Sequence, residues 1–344
     1  MDALASSPLG WLCVGVTVFF GVTVLRTTKR SLVEKGNVLL WSLLPALLGL
    51  LCVATLGAGG GLVVFCAVCL VSSVYLGGRV LLPVGDKAVL ITGSDTGIGH
   101  ALAKYLDNLG FIVFAGVLNK DGPGAEELQR TCSQRLFLLQ LDITNATQIR
   151  EAYLKVSEKV QNTGLWGVVN NAGILGFPAD GELLPMSTYR QCMEVNFFGA
   201  VEVSKTFLPL LRKSQGRLVN MSSMAGIQGT ADLWDKQEKE LMESLPADTT
   251  QDYGEDYLLG LKSYLLHIPT YCDANLSPVL SAILHALLAK RPHGLYTPGK
   301  GSYMFLCIFC YFPLWFYDFF LSKMLSIESV PRALRTSEAE SKDL

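Results

Sequence analysis

The sequence predicts an α/β fold, a doubly wound parallel sheet cut short after its fifth strand and preceded by N-terminal transmembrane helices. Three observations predict it. From Lys87 onward, short apolar runs alternate with amphipathic segments. A glycine-rich turn stands between the first run and the first amphipathic segment. The apolar surplus of the chain lies ahead of that alternation, in stretches without charge.

Composition sets the frame. Of 344 residues, 50% are apolar and 17% charged, against the usual quarter. The 28 Lys and Arg nearly cancel the 30 Asp and Glu, giving a formal charge of −2. That balance excludes a polybasic nucleic-acid binder and an acidic disordered tail, so no nucleic-acid partner is expected. The mean hydropathy of +0.36 implies membrane segments. Residues 3–25 and 36–78 carry no charged side chain. About 20 apolar residues cross a bilayer, so the first stretch spans once and the second is long enough for two spans, broken at Gly57, Gly59, Gly60 and Gly61. The competing readings are a signal peptide and a buried hairpin. Arg26, Lys29, Arg30 and Lys35 between the stretches favour a cytoplasmic loop, which puts the following domain on the cytoplasmic side if the second stretch crosses twice. Residues 303–325 form a further apolar cluster rich in aromatics, read as an interfacial or re-entrant segment or as core.

The organisation is then a membrane-anchor region (1–80), a nucleotide-binding α/β domain (81–230), a helical substrate-lid part (231–302) and an apolar segment with a polar tail (303–344). Strands are expected at 87–92, 111–118, 136–141, 167–170 and 217–221. Asn145 caps the helix after the third strand, with Gln148 in capping-box position. One long helix covers 188–213, with Tyr189, Met193, Phe197, Val201, Leu208 and Leu211 on one face. Beyond the fifth strand the alternation stops. Residues 231–245 are amphipathic and charged, 253–267 look helical, and 277–290 form a helix with Ser277 as cap.

The glycine turn carries the first chemistry. Thr92 to Gly99 reads TGSDTGIG between strand and helix. Gly93 permits the tight turn. Gly97 and Gly99, either side of Ile98, let the backbone approach a pyrophosphate at a helix N-terminus, where free N–H groups and the helix dipole favour anions. This is a Rossmann-type arrangement. Asp95 places a negative charge in the turn and no Lys or Arg lies within it, which favours NAD over NADP. Asn119, Lys120 and Asp121 follow the second strand, so the usual ribose-binding acid is not obvious there. Asp142, just past the third strand, either hydrogen-bonds an adenine or caps the next helix.

TGSDTGIG, the run Asn170-Asn171-Ala172-Gly173, Asn196 in EVNFFG and Ser222-Ser223 after a strand together resemble the short-chain dehydrogenase/reductase family. The resemblance implies NAD-linked hydride transfer at a secondary alcohol. By position, it makes Thr92, Gly93, Gly97, Ile98 and Gly99 the cofactor loop and Asp142 the adenine-side acid. It makes Asn170, Ala172 and Gly173 the motif that steadies the sheet beside the cofactor. Asn196 becomes the helix asparagine of a proton relay, and Ser223 the serine that hydrogen-bonds the substrate oxygen.

The departure from the family is as informative. The family takes the alcohol proton with a tyrosine whose phenolate is stabilised by a lysine one helical turn on, because a free phenol has a pKa near 10. The position where that tyrosine falls, counted from Ser223, is Lys236, and no tyrosine lies between Tyr189 and Tyr253. The one Tyr-x-x-x-Lys in the chain, Tyr296 to Lys300, contains Pro298 and Gly299, which break a helix. The sequence therefore reads as a family member with an internal deletion after about Thr230 that removes the catalytic helix and the sixth strand. Two consequences follow. The 188–213 helix loses the neighbour that covers its apolar face, and the 217–221 strand becomes an edge.

Two functions remain open at this stage. One is oxidation of a lipophilic alcohol, a steroid or retinoid, at the endoplasmic reticulum membrane. The other is a non-catalytic form that binds cofactor, as a homodimer or paired with an intact subunit. The sequons at Asn145, Asn220 and Asn275 test orientation, since a cytoplasmic domain leaves all three unglycosylated.

Overall fold

The computed structural model describes residues 81–176, 179–222, 231–254, 275–299 and 301–313. It also describes 15–16, 18–20, 22, 63–72, 256–257, 259–260, 263, 315–316, 319 and 332. The expected membrane stretches lie largely outside the described residues. Among the described residues no helix is long and apolar enough to cross a membrane. The chain divides into two compact units. Residues 1–84 with 282–296 form one, and residues 85–281 with 297–344 form the other.

The second unit holds a five-stranded parallel sheet, the architecture expected. Strands β1 (Ala88–Ile91), β2 (Ile112–Val117), β3 (Leu136–Gln140), β4 (Gly167–Asn170) and β5 (Arg217–Asn220) lie in the order β3-β2-β1-β4-β5. Each is one or two residues shorter than its apolar run, except β4, which matches. The register pairs Ile91 with Ala115 and Val169, bringing the ends of β1 and β4 together where the glycine loop begins.

Helix α1 (Gly97–Asn108) follows β1, α2 (Pro123–Thr131) follows β2 and α3 (Ala146–Val160) follows β3. Strands β1 and β4 are buried along their whole length, as a parallel sheet covered on both faces requires. Side chains alternate between faces. Ala88 and Leu90 join the core under α3 with Ile149, Ala152 and Val156. On α1, Leu102, Ala103 and Leu106 are fully buried, and Leu102 and Leu106 contribute about 1.5–3 kcal/mol each.

Asn145 caps α3 as expected, its Oδ1 accepting from the N–H groups of Thr147 and Gln148. The reciprocal half of the capping box does not form. Gln148 Oε1 accepts instead from the Asp142 N–H at 2.7 Å, because that orphan amide leaves β3 closer to its reach.

The long helix expected at 188–213 is present but not uniform. It runs as α4 (Met186–Met193), a π-helical segment (Glu194–Gly199) and α5 (Ala200–Ser214). The π segment absorbs one extra residue around Asn196, a feature that concentrates at functional positions. Gly199 explains part of the fit, since a Cβ there would stand 2.8 Å from the Ile143 carbonyl oxygen. The apolar face is uncovered as anticipated: Tyr189, Met193, Phe197, Val201 and Leu208 are exposed, while Leu211 turns into the core. Strand β5 is the edge, its residues alternating half-buried and exposed.

After β5 come α6 (Ala231–Ser244) and α7 (Ala247–Tyr253), then α8 (Ser277–Leu288) and α9 (Ser302–Tyr311). Helix α7 ends at Gly254, whose φ is 80°, and beyond it residues 256, 257, 259, 260 and 263 are helical, within the helix expected at 253–267. Most of 258–274 lies outside the described residues. The cap of α8 is shifted from Ser277 to Asn275, whose Oδ1 accepts the Ser277 N–H at 3.0 Å. In the first unit, residues 81–82 meet the end of α8 through the Leu81–Ala289 bridge and the Leu82 N–H to Leu288 carbonyl bond.

Candidate active site

The glycine loop is tied to both strands it joins. Thr92 is buried, and its Oγ1 accepts from the N–H groups of Asn171 and Ala172, each at 3.0 Å. Asn171 Nδ2 answers by donating to the carbonyls of Thr92 and Gly93, again at 3.0 Å. Gly93 has φ +68°, and a Cβ there would come within 2.9 Å of Ala172 Cα. A Cβ on Gly99 would overlap the Gly93 carbonyl oxygen and Asn171 Nδ2. The loop is thus packed backbone to backbone, which only glycine permits. Gly97, with φ +60°, opens α1, and Ile98 lies half-buried in its first turn. Thr96 precedes that turn and makes no side-chain cap bond, so the first amides of α1 stay available to an anion. The residues present therefore fit a dinucleotide pyrophosphate.

A carboxylate from the loop itself reaches the turn after β2. Asp95 accepts from the Leu118 N–H through both carboxylate oxygens at 3.0 Å, and from Asn119 N–H at 3.4 Å. It stands at the end of β2, where the adenosine ribose of a bound dinucleotide meets a Rossmann sheet. Asp142 Oδ1 accepts from the Thr144 N–H at 2.9 Å and hydroxyl at 2.7 Å. That bond shapes the turn before α3, whose cap is Asn145, so Asp142 is not the helix cap weighed from sequence.

Asn170 does what a sheet-steadying residue does. Buried at the end of β4, its Nδ2 donates to Asn220 Oδ1 of β5 at 2.9 Å and to Ser204 Oγ of α5 at 2.8 Å. Ala172 packs under Gly93, and Gly173 faces Asn196, whose Oδ1 would stand 3.3 Å from a Cβ on that glycine. Asn196 is exposed, in the π segment, and is held by the backbone of Ile174. Ser223 lies outside the described residues. Ser222 is described and exposed.

Three phenols beyond β5 are engaged elsewhere. Tyr257 is 6% exposed and donates to Asp180 Oδ2 at 2.5 Å. Burial, then that carboxylate, pushes its phenol well above the ordinary range. Tyr253 donates to Glu182 Oε2 at 3.1 Å and is pushed up by desolvation and by the same kind of bond. A phenol bonded to a carboxylate holds its proton, the reverse of what a base requires. Tyr296 bonds His285 Nδ1 at 2.7 Å and accepts the His293 N–H at 3.0 Å, and it belongs to the other compact unit. Lys236, where the family tyrosine falls, is an exposed residue of α6 paired with Glu240 at 3.7 Å.

Two residues escaped the sequence reading. Asn171 was passed over in favour of its neighbour Asn170, yet it is the residue that clamps the loop. The paired asparagines at a strand end were the available signal. The other is His100, for which the sequence offers no signal and whose Nδ1 lies 3.2 Å from the Ser94 carbonyl oxygen.

Comparison with known proteins agrees with this geometry. A family model described as short chain dehydrogenase matches residues 87–233. The chain is 47% identical over 378 aligned positions to 17-beta-hydroxysteroid dehydrogenase type 2 of Homo sapiens, covering 96% of each. It is 40% identical to estradiol 17-beta-dehydrogenase 2 of Mus musculus, over 96% of this chain and 98% of the relative. It is 40% identical to 11-beta-hydroxysteroid dehydrogenase type 2 of Bos taurus, over 75% of each. The 378 aligned positions exceed the 344 residues of this chain, so the human relative carries residues that this chain lacks. The identity with these relatives and the match to the model place the glycine loop, the Asn-Asn-Ala-Gly run and the Asn196 helix in a shared framework, and the chain belongs to the short-chain dehydrogenase family.

Proposed function

We propose that this chain is a membrane-anchored form of an NAD-dependent hydroxysteroid dehydrogenase that binds cofactor but turns over weakly or not at all. The parent activity is oxidation of 17β-hydroxysteroids such as estradiol and testosterone to 17-ketosteroids. One contrast carries the reading. The dinucleotide cradle is complete through Asn196, while Tyr253, Tyr257 and Tyr296 bond to Glu182, Asp180 and His285.

In this reading the first turn of α1 and the backbone of Gly93–Gly99 hold the pyrophosphate, and Asp95 lines the ribose end, which favours NAD over a 2′-phosphorylated dinucleotide. Bound NAD supplies the hydride acceptor. Ser223 hydrogen-bonds the substrate oxygen. Asn196 anchors the loop after β4 through its side-chain bonds to the Ile174 backbone. Among the described residues no tyrosine bonds Asn196, so in this reading the alcohol proton lacks its acceptor. Loss of a positioned base alone lowers the rate by about 10²–10⁴.

The membrane anchor rests on the charge-free stretches 3–25 and 36–78 and on the exposed aromatic residues Tyr303, Tyr311, Phe312 and Trp315. Endoplasmic reticulum residence with the sheet domain on the cytoplasmic side is the accompanying expectation. The uncovered face at Met193, Phe197 and Val201 supports pairing with a second copy or an intact subunit.

The test is the purified full chain in detergent with estradiol and NAD, beside the human relative. Dinucleotide binding with turnover below about one hundredth of the relative's is expected. Turnover equal to the relative's removes the non-catalytic reading. An 11β-hydroxysteroid and retinol belong in the same assay, because the 40% identity to 11-beta-hydroxysteroid dehydrogenase type 2 makes them the competing substrates.

A further inference from the structure

All five strands run parallel, so their first residues share one edge of the sheet, opposite the glycine loop. Arg135 directly precedes β3, Lys87 precedes β1, Trp166 precedes β4 and Arg217 opens β5. Backbone bonds hold them at one level. The Lys87 carbonyl accepts from the Ile112 N–H at 3.0 Å, the Arg135 carbonyl from the Val113 N–H at 2.9 Å and the Trp166 carbonyl from the Arg217 N–H at 2.8 Å. In sheet order they form a row about 20 Å long, at about 4.8 Å per strand.

Trp166 gathers charge in this row. Lys87 Nζ lies 4.7 Å from its ring centroid and the Arg217 guanidinium 5.6 Å. A recess of about 230 Å³ opens beside it, between Asp86, Lys87, Thr163, Gly164, Trp166 and Ser214. The helices that return to this edge end in cations as well. Lys159 stands in the last turn of α3, and Arg212 and Lys213 in that of α5, all exposed. Those three also complement their helix dipoles, whereas Lys87, Arg135 and Arg217 stand at strand starts and have no dipole to answer.

Acids at this edge are few. Asp86 pairs with Arg135 at 3.1 Å, Asp107 is buried and accepts from the Ser133 N–H and hydroxyl, and Glu158 is exposed on α3. In the turns that leave β1, β2 and β3 the balance reverses, with Asp95, Asp121 and Asp142 against Lys120. The whole chain carries −2, so the positive edge is a local concentration rather than a general excess.

The point at which the chain enters says what such an edge meets. Gly85 and Asp86 lead directly into Lys87, and the charge-free stretch 36–78 ends nine residues before it. Nine residues reach about 30 Å at most, so an anchored chain keeps this edge within that distance of lipid. Lysine and arginine are drawn to anionic headgroups over such a range, and tryptophan favours the boundary between headgroups and water.

We propose that the strand-start edge around Trp166 is a docking surface for the anionic phospholipid headgroups of the membrane that carries the anchor. The proposal rests on the membrane-anchored reading above. Docked in this way, the strands rise from the lipid surface and present the glycine loop to water, from which a dinucleotide comes.

The experiment compares the full chain in nanodiscs of phosphatidylcholine and of phosphatidylcholine with phosphatidylserine, read by hydrogen exchange. With phosphatidylserine, segments 85–87, 133–135, 161–166 and 215–218 are expected to exchange about tenfold more slowly, and the glycine loop 94–99 at an unchanged rate. Sodium chloride at about 0.5 M should abolish the difference. Each surface cation contributes about fivefold to such an equilibrium, so Lys87→Gln with Arg217→Gln should remove the lipid-dependent protection. Arg212→Gln with Lys213→Gln leaves Trp166 untouched and should reduce the protection in the same direction. This second pair decides alone if the first fails to fold. Equal exchange in the two lipids overturns the docking, as does a difference that survives the salt or both pairs of substitutions. Inorganic phosphate that gives the same protection in phosphatidylcholine discs overturns it too, because the edge is then a site for a soluble anion. A chain that inserts into neither disc defeats the anchor reading. Cosedimentation with phosphatidylserine vesicles then judges the docking, upholding it if Lys87→Gln with Arg217→Gln abolishes binding and overturning it if the native chain does not bind or the variant binds as well.

Discussion

Asn196 and the backbone of Ile174 hold each other by two hydrogen bonds, Oδ1 accepting the Ile174 N–H at 2.8 Å and Nδ2 donating to its carbonyl at 2.7 Å. The pair closes the segment that leaves β4 against the π turn, and the extra residue of that turn is what brings Asn196 to it. Replacing Asn196 with Leu removes both bonds. Because the site is exposed, water recovers part of each, and a loss of about 1–2 kcal/mol is expected in urea unfolding. Asn196→Asp, which keeps the acceptor, should cost less. Equal stability of Asn196→Leu and the native chain would mean that the pair contributes nothing.

Thr92 is the more demanding position because it is buried. Its Oγ1 is the acceptor for two backbone N–H groups, those of Asn171 and Ala172. Thr92→Val keeps the shape and strands both donors, at about 1–3 kcal/mol for each buried unsatisfied group. Thr92→Ser restores the acceptor and should recover most of the loss. Thermal unfolding of the three proteins reads the difference, and a Val variant as stable as the Ser variant would contradict the bonding.

Much of this was legible beforehand for a simple reason. Buried parallel strands write themselves as apolar runs, and the glycines at 93, 97 and 99 mark a turn whose backbone has no room for a Cβ. The exposed face at Phe197 and the edge at β5 followed from a missing neighbour, a subtraction that spacing alone reveals. Contacts between side chains and a distant backbone were not legible. Nothing in the order of residues says that Asp95 reaches Leu118, that His100 turns back to Ser94, or that the Gln148 side chain bonds the Asp142 amide rather than that of Asn145. Such bonds depend on which orphan amide the fold brings within reach, and register and crossover geometry decide that.

The uncovered face of α4 and α5 makes a prediction opposite in sign to ordinary core chemistry. Phe197 and Val201 are 53% and 40% exposed on a helix whose apolar stripe has no partner among the described residues. Phe197→Ser and Val201→Lys should therefore change stability by less than about 0.5 kcal/mol, as at other surface positions, and should reduce association. Size-exclusion chromatography with light scattering, together with urea unfolding, reads both. A cost of several kcal/mol with unchanged association would mean that the face is covered within one chain.

Tyr257 predicts an alkaline limit. Its phenol is raised above 10.0 by burial and by the Asp180 carboxylate, so the folded chain keeps a proton that the unfolded chain releases. The stabilisation is complete below the unfolded value near 10 and is lost as pH rises above it. Tyr257→Phe removes the titrating group, so its stability should fall less steeply between pH 9 and 11 than that of the native chain. Parallel slopes in that window would show that the phenol is not bonded to the acid, and would reopen it as a proton acceptor.

Asp95 predicts the choice of dinucleotide. Its carboxylate occupies the Leu118 and Asn119 amides that would otherwise turn toward a ribose substituent. A 2′-phosphate brought to that place meets a fixed negative charge and finds the nearest donors already engaged, whereas a ribose hydroxyl can donate to the same carboxylate. Asp95→Ala removes the charge and frees both amides. Affinity for NADPH relative to NADH should rise about tenfold or more, the scale of one charge-assisted hydrogen bond gained and one repulsion relieved. Asp95→Asn separates the two effects: it keeps an acceptor for the amides and removes only the charge, so its ratio should fall between those of the native and Ala proteins. Fluorescence titration with both reduced dinucleotides measures it without requiring turnover. A ratio that is the same in all three proteins would place the ribose away from Asp95 and return the choice to the Asn119-Lys120-Asp121 turn.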